Sequence, residues 1–88
     1  MSRFRPTRKL LGPDGNEWEV YVSRGHVFTR PRPTTVKIEA VTYFPRRESL
    51  LWTTTVDHED RVLRQIAAGL EAGDIVRPLG GVFVGRNV

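Results

Sequence analysis

The chain has 88 residues and a mass of 10.0 kDa, which suffices for one small domain and excludes a second hydrophobic core. Hydrophobic residues make up 39% of the chain and charged residues 27%, as in globular rather than disordered proteins. The absence of cysteine excludes disulfides, thiolate metal sites and a cysteine nucleophile.

Fourteen basic against ten acidic residues give a net charge of +4 and a pI near 10.3, which permits binding to phosphates or acidic partners. Twelve of the fourteen are arginine, a bias that a GC-rich genome also produces, so the placement of the arginines matters more than their number. No apolar run approaches the roughly 18 residues of a membrane span, and residues 1–9 do not resemble a secretory signal. We therefore expect a cytoplasmic protein of bacterial type that does not enter a membrane.

Residues 1–8 are predicted to be a flexible basic arm, and residues 9–88 a single folded domain. The arm carries Arg3, Arg5 and Arg8 on either side of a proline. Such an arm either reaches across phosphates or is a solvated terminus with solubilising charge.

A β-hairpin is predicted at the start of the domain. Residues 9–11 and 17–23 flank a turn built on Pro13-Asp14-Gly15, whose proline presets φ and whose glycine tolerates positive φ. Trp18, Val20 and Val22 then alternate with polar residues, which is typical of a strand with one buried face.

A loop is predicted over residues 24–33, because prolines at 31 and 33 are incompatible with a central strand. Phe28, Arg30 and Arg32 within it could stack a base and contact phosphates. The alternative is a solvated loop whose apolar residues cover the core.

Two further strands are predicted at residues 34–44 and 49–55, joined by a turn that contains Arg46 and Arg47. Both strands carry apolar residues on both faces, which favours central positions in a sheet and a second hairpin.

The pattern changes to a helical period after residue 56. One stripe of the helix is apolar and comprises Val62, Leu63, Ile66, Ala67 and Leu70. Asp57 is the expected N-cap and Gly73 the expected C′ residue, whereas Gly69 inside the helix favours close packing. Residues 82–85 form a short last strand.

The predicted fold is therefore α+β, with an antiparallel sheet of four to five strands and one helix on one face, in the order β-β-β-β-α-β. A sheet of this size is about 19–24 Å wide, and a helix of about 10–12 Å in diameter covers only one of its faces. A surplus of apolar strand residues is left for the other face, and the candidates are Tyr21, Val41, Tyr43, Leu51 and Trp52.

No catalytic, cofactor-binding or metal-ligating residue is predicted. The acids and histidine at 57–60 are consecutive at a helix start and so point in different directions, and Thr53–Thr55 are explained by strand propensity. The glycines of 80–85 precede a strand, whereas a phosphate-binding loop opens a helix.

These observations favour a small non-enzymatic module that binds protein through an exposed sheet face, as a homodimer or in a larger assembly. The alternative is nucleic-acid binding through the basic arm, the Arg-Pro loop and the second turn. The residues that would then bind nucleic acid are Arg3, Arg5, Arg8, Phe28, Arg30, Arg32, Arg46 and Arg47.

Overall fold

The computed structural model describes residues 6–25 and 35–87, which form a five-stranded antiparallel sheet with a helix packed on one face. This confirms the predicted α+β class and the order β-β-β-β-α-β. A single 3₁₀ turn, Val56–His58, precedes the helix. The strands and the helix are β1 (Arg8–Leu11), β2 (Glu17–Gly25), β3 (Thr35–Thr42), β4 (Glu48–Thr55), α1 (Glu59–Ala72) and β5 (Gly81–Asn87).

The strands lie in the sheet in the order in which they occur in the chain, so β3 is central and β1 and β5 are the two edges. This explains why β3 is apolar on both faces at its second half, as expected for a central strand. The first hairpin is closed by Gly12 and Asn16, with the Gly12 amide donating to the Asn16 carbonyl at 2.8 Å. Gly15 in that turn has a φ of 82°, which few other residues adopt without strain.

The hydrophobic core lies between α1 and one face of the sheet. The register places Val20 beside Ala40 and Ala40 beside Leu50, so that these side chains form one row under the helix. The core contains Leu10, Trp18, Val20, Val36, Ile38, Ala40, Leu50, Trp52, Val62, Leu63, Ile66, Ala67 and Leu70. All five apolar positions of the predicted helical stripe are among them.

Strand pairing begins slightly before the predicted domain boundary. Arg8 is the first residue of β1, and the Thr7 amide donates to the Val20 carbonyl at 2.8 Å. The last residues assigned to a flexible arm are thus held by the sheet. Residues 1–5 lie outside the described part of the chain.

The C-terminal end of α1 was predicted correctly, whereas its N-terminal end was not. The expectation that Asp57 caps the helix is wrong, because the 3₁₀ turn intervenes and α1 begins at Glu59 without a side-chain cap bond. At the other end Gly73 adopts a φ of 84°, and the amides of Gly73 and Asp74 donate to the last helical turn, as predicted. No helix in the described ranges is long and apolar enough to cross a membrane.

Three side chains hold the segment that returns from α1 to the sheet. The indole Nε1 of Trp52 donates to the Val76 carbonyl, the Thr54 hydroxyl donates to the Gly80 carbonyl, and Gln65 accepts from the Leu79 amide. The distances are 3.0, 2.7 and 3.0 Å respectively. These bonds direct the chain along β4 and thereby place β5 at the edge of the sheet.

Candidate functional site: the open face of the sheet

The face of the sheet that points away from α1 is here called the open face. Most of its apolar side chains fall into two groups on either side of Glu39, which pairs with Tyr21 in β2 and with Leu51 in β4. Leu11, on the β1 edge, lies apart from both groups. One group is Tyr21, Val41 and Tyr43. The other group, called the β5 strip below, consists of Leu51, Val82 and Val84.

The first group is less available for contact than its composition suggests. Val41 is only 4% exposed although it lies on the open face. The Tyr21 hydroxyl donates to Glu19 Oε1 at 2.6 Å, which holds that ring against its own strand. Tyr43 is 55% exposed and offers most of the apolar surface of this group. A shallow cavity of about 160 Å³ is lined by Tyr21, Glu39, Val41, Tyr43 and Arg47.

The β5 strip contains two exposed valines, and these two of its three members were not predicted as site residues. Val82 is 63% exposed and lies opposite Thr53, and Val84 is 55% exposed. The pairing of β5 with β4 shifts by one residue, so that Leu51 pairs with Gly85 and Val84 has no partner in β4. This bulge places Val84 beside Gly85 on the open face. The sequence signal was the Val-Phe-Val alternation in the last strand, which alone did not show that this strand is an edge.

Trp52 does not belong to the open face, and its assignment there was wrong. Its side chain is fully buried beneath α1, and its ring centroid lies 5.5 Å from that of Phe83. The reason is the alternation of a strand: Leu51 and Trp52 are neighbours in β4, so their side chains point to opposite faces. Of the five candidate residues, the remaining four lie on the open face or at its end.

The residues of the nucleic-acid alternative are not brought to one place by the described structure. Arg46 and Arg47 lie between β3 and β4, whereas the predicted loop leaves β2 at Gly25 and returns at Thr35, at the other end of the same strands. An eight-residue strand spans about 26 Å, which separates the two arginines from the base of the loop. Arg8 starts β1. Arg3, Arg5, Phe28, Arg30 and Arg32 lie outside the described residues.

Some of the charged side chains near the ends of the sheet form ion pairs. Arg24 at the end of β2 binds Glu59 at the start of α1, with 2.9 Å between Nε and Oε1 and a second contact from Nη2. Arg86 of β5 pairs with Glu48 of β4. Glu59 belongs to the acidic run at 57–60, so one member of that run is engaged in holding β2 to α1. Among the described residues no three His, Asp or Glu side chains are grouped as a metal site.

A second cavity, of about 290 Å³, lies on the other side of the sheet between the first hairpin turn and the end of α1. The described residues that line it include Asp14, Asp74 and the ion pair of Glu48 with Arg86. Its volume is at the lower end of the range of small-molecule sites. Its described lining contains neither histidine nor a hydroxyl side chain, and Glu48, one of its carboxylates, is engaged by Arg86.

The chain has been compared with protein-family models, with curated proteins and with solved structures, and none of the three comparisons finds a match.

Proposed function

We propose that this chain is a non-enzymatic protein-binding module that associates with itself through the open face, as a homodimer or a larger assembly. The observation that supports the proposal is the β5 strip, in which Val82 and Val84 remain more than half exposed beside Leu51. Exposed apolar side chains that are contiguous on a small protein are typical of an interface.

Within residues 6–25 and 35–87, no element covers this surface. Five strands at about 4.8 Å spacing make a sheet roughly 24 Å wide, and α1 occupies the opposite face. Burying a valine or leucine side chain fully contributes about 1.5–3 kcal/mol. A stable interface buries roughly 800 Å² on each partner, which is more than three side chains supply, so neighbouring open-face residues such as Tyr43 would also be covered.

The test is the mass in solution, measured by light scattering after size-exclusion chromatography over a range of concentrations. We expect a mass above the 10.0 kDa of one chain that changes little with salt, because the contact is apolar. Val84→Glu should shift the population towards monomer. Val56→Glu is the matched control, since Val56 is also an exposed valine, 44% exposed, but lies in the turn before α1.

Two outcomes would contradict the proposal. A monomer at all concentrations would remove self-association, and equal effects of Val84→Glu and Val56→Glu would show that association does not use the open face. Both positions are at the surface, so we expect each variant to retain the fold, and circular dichroism checks this.

Nucleic-acid binding is the competing function, and the same experiment addresses it by adding a generic DNA duplex. Co-elution of a monomer with the duplex at low salt only would favour the arginine set over the open face. In that case the affinity should fall with salt at a log–log slope near −0.9 for each phosphate contacted. The separation of Arg46 and Arg47 from the base of the loop argues against a single compact site for it.

A further inference from the structure

The cavity between the first hairpin turn and the end of α1 has an apolar floor. Trp18, Leu50 and Leu70 line it, and all three are buried members of the hydrophobic core. Core side chains are closely packed and hold fixed rotamers, so this floor exists before any ligand arrives. The volume of about 290 Å³ suits a small organic molecule.

The walls of the cavity are acidic, although the chain as a whole is basic. Three carboxylates and one guanidinium line it, whereas the net charge of the chain is +4. Glu48 and Arg86 pair with each other, which leaves Asp14 and Asp74 as the uncompensated charges. Within residues 6–25 and 35–87, no ion pair or side-chain hydrogen bond engages either aspartate. The walls therefore favour a ligand with positive charge.

The C-terminal end of α1 adds to this preference. Leu70 and Gly73 line the cavity, so the helix ends at its wall. The C-terminal end of a helix carries a partial negative charge and is stabilised by a nearby cation. The last turn of α1 contains no basic side chain, so the helix does not supply that cation itself. A cation bound in the cavity would interact with the helix end and with the two aspartates at once.

The indole N–H of Trp18 is an unused hydrogen-bond donor at this cavity. Trp18 is only 7% exposed, and its Nε1 donates to none of the residues that the structure describes. The nitrogen is not sealed from solvent, because every fully enclosed side-chain nitrogen or oxygen in the described ranges has a partner. The other indole, that of Trp52, donates to the Val76 carbonyl instead. The Trp18 N–H is thus free to donate to an oxygen of a ligand in the cavity that Trp18 lines.

We propose that this cavity binds a small organic cation with a flat apolar body. The ring of the ligand packs on the apolar floor, and its ammonium group lies near Asp14, Asp74 and the end of α1. An oxygen of the ligand accepts a hydrogen bond from the Trp18 indole. The cavity lies on the opposite side of the sheet from the open face, so this inference is independent of the proposed self-association.

Tyramine is the probe, because it combines an ammonium group, an aromatic ring and a phenol oxygen. Tyrosol, in which a neutral hydroxyl replaces the ammonium group, and the anion para-hydroxyphenylacetate are the matched control ligands. The chain has two tryptophans, so a proton–nitrogen correlation NMR spectrum contains two indole signals, and Trp18→Phe assigns them. We expect tyramine to shift the Trp18 indole signal saturably and to leave that of Trp52 unchanged. Tyrosol should bind about five times more weakly, because exposed charges contribute modestly, and the anion more weakly still.

The double variant Asp14→Asn/Asp74→Asn tests the charge preference. Both side chains are exposed and uncharged asparagine is similar in shape, so we expect the fold to be retained. Tyramine should lose about fivefold in affinity and bind no better than tyrosol, whose affinity should stay unchanged. Asp60→Asn is the matched control, since Asp60 is an exposed aspartate at the other end of α1, about 20 Å away along a helix of 14 residues. It should leave the binding of tyramine unchanged.

Three results would overturn the cation site. The first is no saturable shift of the Trp18 indole signal with tyramine up to about 10 mM, well above a millimolar dissociation constant. The second is an anion that binds as tightly as tyramine, and the third is an equal loss of affinity in Asp60→Asn and in the double variant. Val84→Glu should bind tyramine as the parent chain does, so loss of self-association leaves this site standing, and failure of the site leaves the proposed function standing.

Discussion

The indole nitrogen of Trp52 donates a hydrogen bond of 3.0 Å to the backbone carbonyl of Val76, and so links β4 to the segment that follows α1. Trp52 is fully buried, so this bond is shielded from water. The segment has no strand partner of its own before Gly81 and depends on such side-chain bonds for its path. This contact is one of the three side-chain hydrogen bonds that lead the chain to β5, and so it helps to position the β5 strip.

Trp52→Phe should lower the free energy of unfolding by about 2–4 kcal/mol. It leaves the Val76 carbonyl without its donor, which costs about 1–3 kcal/mol, and the smaller ring leaves a gap in the core. Urea unfolding followed by circular dichroism measures the change. Trp18→Phe is the control, since Trp18 is also in the core but no hydrogen bond of its indole is described; a loss as large as that of Trp52→Phe would contradict the role of the bond.

Gly69→Ala should destabilise the chain by about 1–2 kcal/mol, although alanine favours helices by about 1 kcal/mol over glycine. A Cβ at Gly69 would lie 2.2 Å from Val76 Cγ1 and 3.2 Å from the Asp74 carbonyl oxygen. The expected test is a double-mutant cycle with Val76→Ala, in which Gly69→Ala costs less once the valine methyl groups are gone. Gly25→Ala, whose Cβ has ordinary contacts, should be nearly neutral. An unchanged cost in the Val76→Ala background would show that the methyl contact is not responsible.

Gly73→Ala should cost more than Gly15→Ala in the same chain. Both residues have φ near +80°, where an L side chain costs about 1–2 kcal/mol. At Gly15 the new Cβ meets open space, whereas at Gly73 it would lie 2.9 Å from Pro13 Cγ. Thermal unfolding measures the loss of stability in each variant. The loss in Gly15→Ala reports the backbone strain alone, and the additional loss in Gly73→Ala reports the contact with Pro13. Equal losses would indicate that the proline ring moves aside freely.

Arg24→Lys should weaken the junction of β2 with α1, because an ammonium group cannot reproduce the two parallel contacts of the guanidinium with Glu59. The Arg24 side chain is about half exposed, so a double-mutant cycle with Glu59→Gln should give a coupling free energy of only about 0.5–1 kcal/mol. The coupling should decrease as salt is raised. A coupling free energy that does not respond to salt would argue against an electrostatic origin.

Local patterns correctly predicted which segments form strands, turns and the helix. They were less successful for the burial and hydrogen bonding of single side chains. The Pro-Asp-Gly turn, the helical stripe and Gly73 all appear as expected, because each depends on residues close in sequence. The Asp57 cap was wrong because the chain leaves β4 through a 3₁₀ turn, and the path out of a strand is set by packing. The helix boundary was therefore less predictable than the helix itself.

In the candidate interface, too, the strands were predictable from local patterns, whereas the exposure of single side chains was not. Alternation placed Leu51 and Trp52 on opposite faces, yet only the packing of α1 decided which of the two is buried. The Val-Phe-Val alternation predicted a strand at Val82 and Val84, but it did not show that this strand lies at the edge of the sheet.

The sequence by itself determined the α+β class, the first hairpin, the helix and the expectation that this helix covers only one face of the sheet. These follow from short-range periodicity and from the size of a helix relative to a sheet. The tertiary structure alone decided which face is open, which strands are edges and how the acidic and basic residues pair. These depend on contacts between residues far apart in the chain, such as Trp52 with Val76 and Arg24 with Glu59, which no local pattern encodes.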